Sequence, residues 1–471
     1  MAIDKTITGA EAVITALVEN GVEVIFGYPG GAVLPLYDAI FDNKKIKHIL
    51  VRHEQAAVHA AEGYARSTGK VGCVLVTSGP GATNAITGLT DALMDSIPVI
   101  CLSGQVPTHL IGTDAFQEAD TTGISRPCTK HNYLVKNADN LCDIIHESFD
   151  IASTGRPGPV LIDLPKDIQL TKIKYNKKIN RIKNKSSINN PKIDMKIITK
   201  VVDLLVNAQK PIIYAGGGVI NAGPKTSTLL TELVDLLNSP VTLTLMGLGS
   251  VSNDNKNFLG MLGMHGTYEA NLAMHNCDVM LNVGARFDDR VTGRLNAFAP
   301  NSKKIHIDID KSSINKVVSV DFGIVGDCKE VLTILVQEIK KLHNQKNLKS
   351  KTDWWTQIKE WKKKDSLGFK QIGKNIKPQQ AIKSLYNKTK SFDTYITTEV
   401  GQHQMWAAQY FGFSKPNHWM TSGGLGTMGY GLPSSVGVQI AHPDSLVIDI
   451  SGEASFLMNM QELSTIVQYN L

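Results

Sequence analysis

The chain has no apolar run of transmembrane length and no paired cysteine motif, and both absences restrict its class. A membrane-spanning helix needs about 20 consecutive apolar residues, and no stretch of the sequence approaches that length. The six cysteines show no C-x-x-C spacing. Several lie in apolar stretches such as "GCVLVTS", where a thiol is typical of a small buried hydrophobe. We therefore expect a protein without disulfides in a reducing compartment.

Targeting signals are also missing from the start of the sequence. The segment "MAIDKTITGAEAVITALVENG" is neither a signal peptide nor a basic transit segment. We expect a cytoplasmic bacterial protein, or a protein of the plastid stroma if the chain is organelle-encoded.

Charge is present but modest, with a net charge of +6. Lysines concentrate in "TKIKYNKKINRIKNKSS" and "KKLHNQKNLKSKTDWWTQIKEWKKK". Basic runs can bind nucleic acids or membranes, but both of these fall where linkers are expected. A solvated surface explains them, so no nucleic-acid or membrane partner is predicted.

The remaining sequence predicts an α/β protein of several domains. A chain of 471 residues has material for about two to four domains. Short apolar strands such as "VEVIFGYPGG", "IPVICLSGQ" and "CDVMLNVGARF" alternate with helical patterns, which favours parallel sheets covered on both faces. We predict domains at 1–172, 195–342 and 377–471, with the basic runs as linkers at about 175–194 and after 342.

Glu54 is the first candidate functional residue. In "VRHEQAAVHAAEGYARSTGK" it starts a helix of small apolar residues. An ionised carboxylate among buried neighbours needs a partner or a positive helix end. It can share a proton with a ring nitrogen of a cofactor; a surface glutamate is the alternative.

Glycine-rich turns recur between strands and helices. "FGYPGGAVLPLYDAI", "TSGPGATNAITGL" and "YAGGGVINAG" are each weak signals alone. The run "MTSGGLGTMGYGLPSSVG" is stronger, because five glycines exclude an ordinary helix or strand. Such density indicates tight turns or a close approach of the backbone to a ligand.

Charged residues follow several predicted strands at the edge where α/β proteins bind ligands. "VGARFDDRVTGR" places Arg286 and Arg290 after a strand, and arginine suits bidentate contact with carboxylates or phosphates. A surface salt-bridge network is the alternative. Asp308 and Asp310 end the strand "KKIHIDID" and suit a ribose hydroxyl, and Asp327 lies in a similar setting. Glu453 in "VIDISGEASFLMNMQEL" follows a strand and precedes a helix, as phosphate and metal ligands often do.

Together these segments resemble the catalytic large subunit of acetolactate synthase, a family of thiamine-diphosphate enzymes. The resemblance covers nearly the whole chain in family order, through "YPGGAVLPLYDA", "RHEQAAVHAAEGYAR", "TSGPGATNAITGL", "QVPTHLIGTDAFQEAD", "GRPGPVLIDLPKD", "GARFDDRVTG", "VGQHQMWAAQ" and "SGGLGTMGYGLP". It implies an α/β fold with three doubly wound parallel-sheet domains. In order, these would bind the pyrimidine of thiamine diphosphate, FAD, and the diphosphate with Mg²⁺.

The resemblance also implies roles for individual residues. Glu54 would hold the pyrimidine nitrogen, Met428 would bend the cofactor, and Gly31 would donate an N–H to the reacting carbonyl. The diphosphate side would be contacted by Gln402, His403 and Gly426, with Glu453 on Mg²⁺. Arg290 would bind the carboxylate of the second keto acid, and the substrate channel would include Phe116, Gln117, Lys166 and Met264. FAD contacts would come from Arg156, Gly217, Gly218, Thr244, Leu245, His265, Arg286, Asp288, Asp308 and Asp327.

The implied reaction joins two 2-keto acids. Pyruvate loses CO₂ on thiamine diphosphate, and the remaining two-carbon unit adds to pyruvate or 2-oxobutanoate, as in the biosynthesis of valine, leucine and isoleucine. The family implies a homodimer or homotetramer with the active site between chains, and a small regulatory subunit. Pyruvate oxidase and glyoxylate carboligase are alternatives, but Glu54 and Arg290 favour acetolactate synthase.

Two departures from the family concern the end of the sequence. The family has Asp where this chain has Glu453, and Mg²⁺ requires near-octahedral geometry at about 2.0–2.1 Å, so we expect weaker retention of metal and cofactor. The family also continues beyond the position of Leu471, with a second Mg²⁺ ligand and a lid. On this basis we expect a carboxy-terminally truncated chain with an incomplete third domain, prone to aggregation and inactive. The corresponding alternative function is an inactive fragment that only binds cofactor or partner chains.

Overall fold

The structure is a computed structural model that describes residues 5–175, 192–343 and 349–471. Most of the linker predicted at 175–194 lies outside the described residues. The strands are β1 Lys5–Thr8, β2 Val24–Gly27, β3 Lys47–Leu50, β4 Gly72–Val76, β5 Val99–Gln105, β6 His131–Leu134, β7 Val160–Pro165, β8 Lys172–Tyr175, β9 Pro211–Ala215, β10 Val241–Leu243, β11 Phe258–Met261, β12 Val279–Val283, β13 Lys303–Asp308, β14 Phe322–Val325, β15 Thr394–Thr398, β16 Trp419–Met420 and β17 Leu446–Ile450.

The α-helices alternate with these strands along the chain. They are α1 Gly9–Glu19, α2 Leu34–Phe41, α3 Glu54–Thr68, α4 Pro80–Asp95, α5 Thr121–Ser125, α6 Leu141–Ser153, α7 Lys166–Leu170, α8 Met195–Asn207, α9 Gly217–Asn221, α10 Pro224–Leu237, α11 Tyr268–Asn276, α12 Asp289–Thr292, α13 Cys328–His343, α14 Thr352–Lys362, α15 Pro378–Thr389, α16 Gln402–Tyr410, α17 Gly431–Ala441, α18 Glu453–Asn459 and α19 Glu462–Tyr469. No α-helix of the described residues combines the length and hydropathy needed to cross a membrane.

The chain forms two compact units. Among the described residues, the first unit contains residues 5–175 together with Asp393–Gly401 and Met420–Leu471. The second unit contains residues 192–343 and 349–392 together with Gln402–Trp419. The boundaries of the three predicted domains therefore stay a prediction.

A parallel sheet with the strand order β3-β2-β4-β5-β7-β6 dominates the first unit. Its central strands are buried on both faces. Cys73 and Leu75 of β4 belong to one apolar core, whereas Val74 and Val76 belong to the other. Because side chains alternate along a strand, two cores require helices on both faces. The predicted doubly wound sheet is confirmed.

The first unit also contains the parallel pair of strands β15 and β17. Strands β1 and β8 pair antiparallel in a sheet of their own. The described cysteines are free thiols, and all except the half-buried Cys128 are buried, as expected.

The second unit contains a parallel sheet with the order β11-β10-β9-β12-β13-β14. One sequence prediction is wrong here, because the second basic linker contains helix α14. Trp354 and Ile358 of α14 are buried in the core of this unit, and the Trp354 Nε1–H donates to the Pro211 carbonyl oxygen at 3.0 Å. The segment was predicted as a linker because the lysines around these two residues interrupt the apolar pattern of the helix.

Helices α3 and α17 of the first unit pack closely through glycines. A Cβ at Gly63 would overlap the carbonyl oxygen of Ser434, and a Cβ at Gly437 would overlap the carbonyl oxygen of Ala60. Neither glycine has a positive φ. Close backbone approach, rather than an unusual backbone conformation, therefore requires glycine at both positions.

We expect Gly437→Ala to lower the free energy of unfolding by about 1–3 kcal/mol, because the added methyl group forces the two helices apart. Urea denaturation followed by circular dichroism measures the change. Gly158→Ala is the control, since a Cβ there lies no closer than 3.5 Å to any neighbour. Equal effects of the two substitutions would contradict the close contact.

Candidate active site

Two glycine loops meet at the carboxyl edge of the sheet in the first unit. Strands β2 and β4 are neighbours, and the chain turns from β2 to β3 on one side before returning to β4 on the other. Such a reversal leaves a crevice for ligands. Gly30 follows β2, and a Cβ on it would lie 2.5 Å from the Thr77 side chain, which follows β4. Next to it, a Cβ on Gly31 would have no atom within 4 Å, so there is open space beside this backbone.

Glu54 lies at the same edge as the first residue of α3 and is 9% exposed. Its Oε2 accepts a hydrogen bond from Asn84 Nδ2 at 3.0 Å. Its Oε1 faces Gly81, where a Cβ would lie 3.4 Å away. The carboxylate therefore lies beside the positive end of the α3 dipole. Asn84 was not predicted as a site residue, although it lies within the motif "TSGPGATNAITGL".

The predicted channel residues of this unit lie on neighbouring segments of the same edge. Lys166 begins α7 directly after β7 and is half-buried. Phe116 is 89% exposed in the loop after β5. Asp114 and Gln117 in this loop have φ angles of 58° and 60°, a backbone strain that is often found at ligand sites.

The glycine-rich run forms a turn that is anchored to helix α4. Gly426 and Gly429 have φ angles of 76° and 84°, so the predicted tight turns are confirmed. Met428 between them is exposed. Asp91 Oδ1 accepts hydrogen bonds from Ser422 Oγ at 2.5 Å and from Thr427 Oγ1 at 2.9 Å.

Glu399, which was not predicted, holds the turn that contains Glu453. It is buried at the end of β15 and accepts hydrogen bonds from the N–H groups of Gly452 at 2.9 Å and Gly431 at 3.2 Å. Glu453 is exposed as the first residue of α18. Among the residues that the structure describes, it belongs to no cluster of three or more metal-ligating side chains. A single carboxylate fits Mg²⁺ in type when a bound diphosphate supplies further oxygens.

Arg156 binds a helix end in the first unit. Its Nε donates to Ser96 Oγ at 2.7 Å, and its Nη2 donates to the Met94 carbonyl oxygen at 3.1 Å. A guanidinium group at the carboxyl end of α4 is favourable because of the helix dipole. The predicted flavin contact of Arg156 stays a prediction.

In the second unit, most of the predicted flavin residues lie at one sheet edge. The chain order reverses between β9 and β12, which are neighbours. A Cβ on Gly218 would lie 2.7 Å from the Gly284 Cα, so the loops after these two strands are in close contact. The residues that follow or end the strands at this edge are Gly217, Gly218, Thr244, Leu245, Arg286, Asp288, Asp308 and Asp327.

The carboxylates at this edge stabilise local turns. Asp288 Oδ2 binds Arg286 Nη2 at 2.9 Å, Asp308 Oδ1 accepts the N–H of Asp310 at 2.8 Å, and Asp327 Oδ1 accepts the N–H of Lys329 at 2.8 Å. Each retains further acceptor capacity. A crevice at a strand reversal with these acceptors fits a dinucleotide such as FAD.

The remaining predicted residues of the second unit are largely exposed. The Arg290 guanidinium lies 3.6 Å from Asp289 in a pair in which both side chains are more than two-thirds exposed. Such a pair contributes about 0–1 kcal/mol, so a carboxylate ligand can compete for Arg290. Met264, His265 and Gln402 are exposed, and His403 is half-buried.

Family comparison supports three regions along the chain. Residues 7–124 match the family model described as "Thiamine pyrophosphate enzyme, N-terminal TPP binding domain". Residues 198–335 match the model of the central domain, and residues 399–471 match the model of the C-terminal TPP binding domain. The prediction of three thiamine-diphosphate enzyme domains is confirmed.

Curated relatives match across almost the whole chain. The chain is 52% identical to the acetolactate synthase large subunit of Haemophilus influenzae, over 99% of this chain and 81% of the relative. It is 50% identical to the isozyme 3 large subunit of Escherichia coli with the same coverage. The mitochondrial catalytic subunit of Saccharomyces cerevisiae is 46% identical, over 98% of this chain and 69% of the relative. These matches do not favour an inactive fragment; the truncation stays a prediction.

The Glu399 contacts generate a test of the turn. We expect Glu399→Gln to destabilise the protein by about 1–3 kcal/mol, because an amide nitrogen cannot accept the N–H of Gly452 or Gly431. Hydrogen exchange of residues 449–453 should accelerate as well. The control is Glu338→Gln, which removes an exposed pair with Lys341 and should change stability little. Unchanged exchange in Glu399→Gln would show that Glu399 does not hold the turn.

Proposed function

We propose that this chain joins two 2-keto acids, because it belongs to the acetolactate synthase large-subunit family of thiamine-diphosphate enzymes. Pyruvate loses CO₂, and the two-carbon unit is transferred to a second pyruvate or to 2-oxobutanoate. The products are 2-acetolactate and 2-aceto-2-hydroxybutyrate. The observation that carries the proposal is the buried Glu54 at the start of α3, beside the crevice of the first sheet.

Glu54 would hold the proton on which the cofactor depends. Thiamine diphosphate, when bound, would supply a nucleophilic carbon for the keto group and a positively charged ring that takes up the electron pair left by CO₂. Glu54 would share a proton with the pyrimidine ring nitrogen, because its carboxylate is buried, faces the loop at Gly81 and has Asn84 to fix its orientation. Asn84 thereby joins the predicted set as a positioning residue.

The family resemblance also assigns substrate contacts to residues of each unit. Gly31 would donate its N–H to the reacting carbonyl oxygen, and there is open space beside its Cα. Lys166 and Arg290 would bind substrate carboxylates by charge. Phe116, Gln117 and Met264 would line the channel and exclude water.

The diphosphate and metal would bind residues of the third matched region. Gln402 and His403 would donate to the diphosphate, Gly426 would allow its close approach, and Met428 would support the bent cofactor. Glu453 would bind Mg²⁺ through one carboxylate, which is an ordinary protein contribution for this ion.

FAD would bind at the carboxyl edge of the second sheet. The glycines at 217 and 218 would admit its pyrophosphate, and Asp308 or Asp327 would accept from ribose hydroxyls. Its other contacts would be Arg156, Thr244, Leu245, His265, Arg286 and Asp288. In the proposed reaction FAD undergoes no net redox change.

We also propose an assembly and a compartment. The relatives are called large subunits, which supports a small regulatory partner for this chain. A homodimer or homotetramer with the active site between chains follows from the family resemblance, as do the proposed domain limits at 1–172, 195–342 and 377–471. The proposed compartment is the cytoplasm, or the plastid stroma for an organelle-encoded chain.

We expect Glu54→Gln to lower the rate of acetolactate formation by about 10²–10⁴-fold, because a neutral amide cannot exchange a proton with the cofactor ring. Colorimetric detection of acetolactate measures the rate, and a peroxide assay tests for pyruvate oxidase activity. The control is Glu23→Gln, which removes an exposed pair with Lys70. Full activity in Glu54→Gln, or peroxide as the main product of the wild-type protein, would contradict the proposal.

The Glu453 position gives a second test. We expect Glu453→Asp to lower the Mg²⁺ concentration needed to retain thiamine diphosphate, because the shorter carboxylate suits the compact octahedral shell. Glu453→Gln should raise that concentration. Equilibrium dialysis with labelled cofactor across a Mg²⁺ titration measures both effects. An identical Mg²⁺ requirement in all three proteins would exclude Glu453 as a ligand.

A further inference from the structure

A buried group of ionisable side chains in the first unit has no part in the chemistry described above. His59 and Glu62 lie on α3, Asp91 lies on α4, and all three are fully buried. Their ligand-type atoms lie within 4.8 Å of one another. His59 Nδ1 is 3.0 Å from Glu62 Oε1, and His59 Nε2 is 3.2 Å from Gln55 Nε2. A neutral imidazole that donates from Nδ1 and accepts at Nε2 satisfies both contacts.

The two carboxyl groups each have one oxygen that lacks a hydrogen-bond donor. Glu62 Oε1 has His59, and Asp91 Oδ1 has the hydroxyls of Ser422 and Thr427. Among the described residues, no donor reaches Glu62 Oε2 or Asp91 Oδ2. A carboxyl oxygen of Glu62 and one of Asp91 lie within 4.8 Å of each other, and a hydrogen bond from Asp91 lowers the pKa of Glu62. One proton held between them satisfies both oxygens, whereas two buried ionised carboxylates would repel each other.

The surrounding charges are consistent with a retained proton. Burial lowers the pKa of His59 to about 4, so this residue is neutral at pH 7. Burial raises the pKa of Glu62 and of Asp91 well above their ordinary values, and the charge of Glu62 raises that of Asp91 further. Arg66 is a cation whose charge acts on Glu62, and its Nη1 lies 3.8 Å from Asp95 Oδ2. The Tyr430 hydroxyl also faces the group, and burial raises its pKa, so it stays neutral.

Helix α4 anchors both ends of the glycine-rich loop through carboxyl groups one turn apart. Asp91 accepts the hydroxyls of Ser422 and Thr427, and Ser422 Oγ also accepts the Thr427 N–H at 2.7 Å. Asp95 Oδ2 accepts the N–H of Gly423 at 2.8 Å. The loop has few side chains of its own to pack, so these bonds restrict it strongly.

We propose that Glu62 and Asp91 form a proton-sharing carboxyl pair that positions the loop Ser422–Thr427, and with it Gly426 and Met428, for thiamine diphosphate. The positioning of the loop stands on the contacts above, whereas its consequence for thiamine diphosphate rests on the proposed function. Glu62 and Asp91 are positioning residues, because they act on the cofactor only through the loop.

The test compares Asp91→Ala with Asp91→Asn. Asparagine keeps an acceptor for the loop hydroxyls and replaces the shared proton with an amide N–H toward Glu62, whereas alanine removes both. In cofactor-free protein, hydrogen exchange of residues 421–430 should be at least about tenfold faster in Asp91→Ala and within about threefold of wild type in Asp91→Asn. The dissociation constant of thiamine diphosphate, measured by fluorescence with Mg²⁺, should change in parallel, while the flavin content stays constant.

Asp163→Ala is the matched control. Asp163 is also buried and accepts a hydroxyl, from Ser103 Oγ at 2.7 Å, and an amide, from Gln105 Nε2 at 2.9 Å. Its removal should weaken the fold without a specific effect on residues 421–430. If Asp91→Ala does not fold, Thr427→Val removes a hydroxyl donor to the pair and should loosen the same loop.

Wild-type exchange of the loop in Asp91→Ala or in Thr427→Val would overturn the proposal. Equal loosening by asparagine and alanine would overturn the shared proton. If the loop loosens as expected in Asp91→Ala but the wild-type protein does not bind thiamine diphosphate, the positioning pair is supported and the proposed function is overturned.

Discussion

The burial of helix α3 is the constraint on which the first unit depends. The helix contacts α4 and α17 and has little exposed surface, although it carries Glu54, His59 and Glu62. A helix of this kind can be buried only if each of these polar groups has a partner or a proton. The glycines at its contact with α17 bring the backbones close, and this leaves little room for water to solvate the charges. Packing and electrostatics are therefore linked along α3, from Glu54 at its start to Glu62 about two turns later.

The fold, and the place of Glu54 at the start of a helix, followed from local sequence patterns. Alternating apolar strands and helices predicted the parallel sheets, because such strands are buried on both faces and form continuous apolar runs. Glycine turns after strands predicted the loops at β2 and β4, since the carboxyl edge of a parallel sheet collects them in one place. The burial of Glu54 could be predicted because its helix is rich in small apolar residues. In each case the physical cause acts over a few neighbouring residues.

The features that were not predicted depend on tertiary contacts. The burial of Trp354 and Ile358 in α14 depends on the second sheet, and no local pattern distinguishes their segment from a basic linker. In the sequence, Asn84 is an ordinary polar residue of a helix. Its role becomes visible only in the fold, where its Nδ2 lies 3.0 Å from Glu54 Oε2. Glu62 and Asp91 are separated by a strand in the sequence, so their orphan oxygens become recognisable only when α3 and α4 are packed together. Partners distant in the chain leave no periodic signal.

At the turn between β17 and α18, the buried Glu399 and the exposed Glu453 differ in which groups their carboxylates can bind. Glu399 is buried, and its acceptors are used by the N–H groups of Gly431 and Gly452 and by Ser451. A carboxylate committed to backbone donors is a poor ligand for a mobile ion, because release of those donors would leave them unsatisfied. Glu453 is exposed at a helix start. The hydrogen bonds described above for this turn do not use its carboxylate. A fixed backbone beneath an exposed carboxylate is the arrangement that a metal site needs, because the rigid part sets the position and the exposed part remains available to the ion.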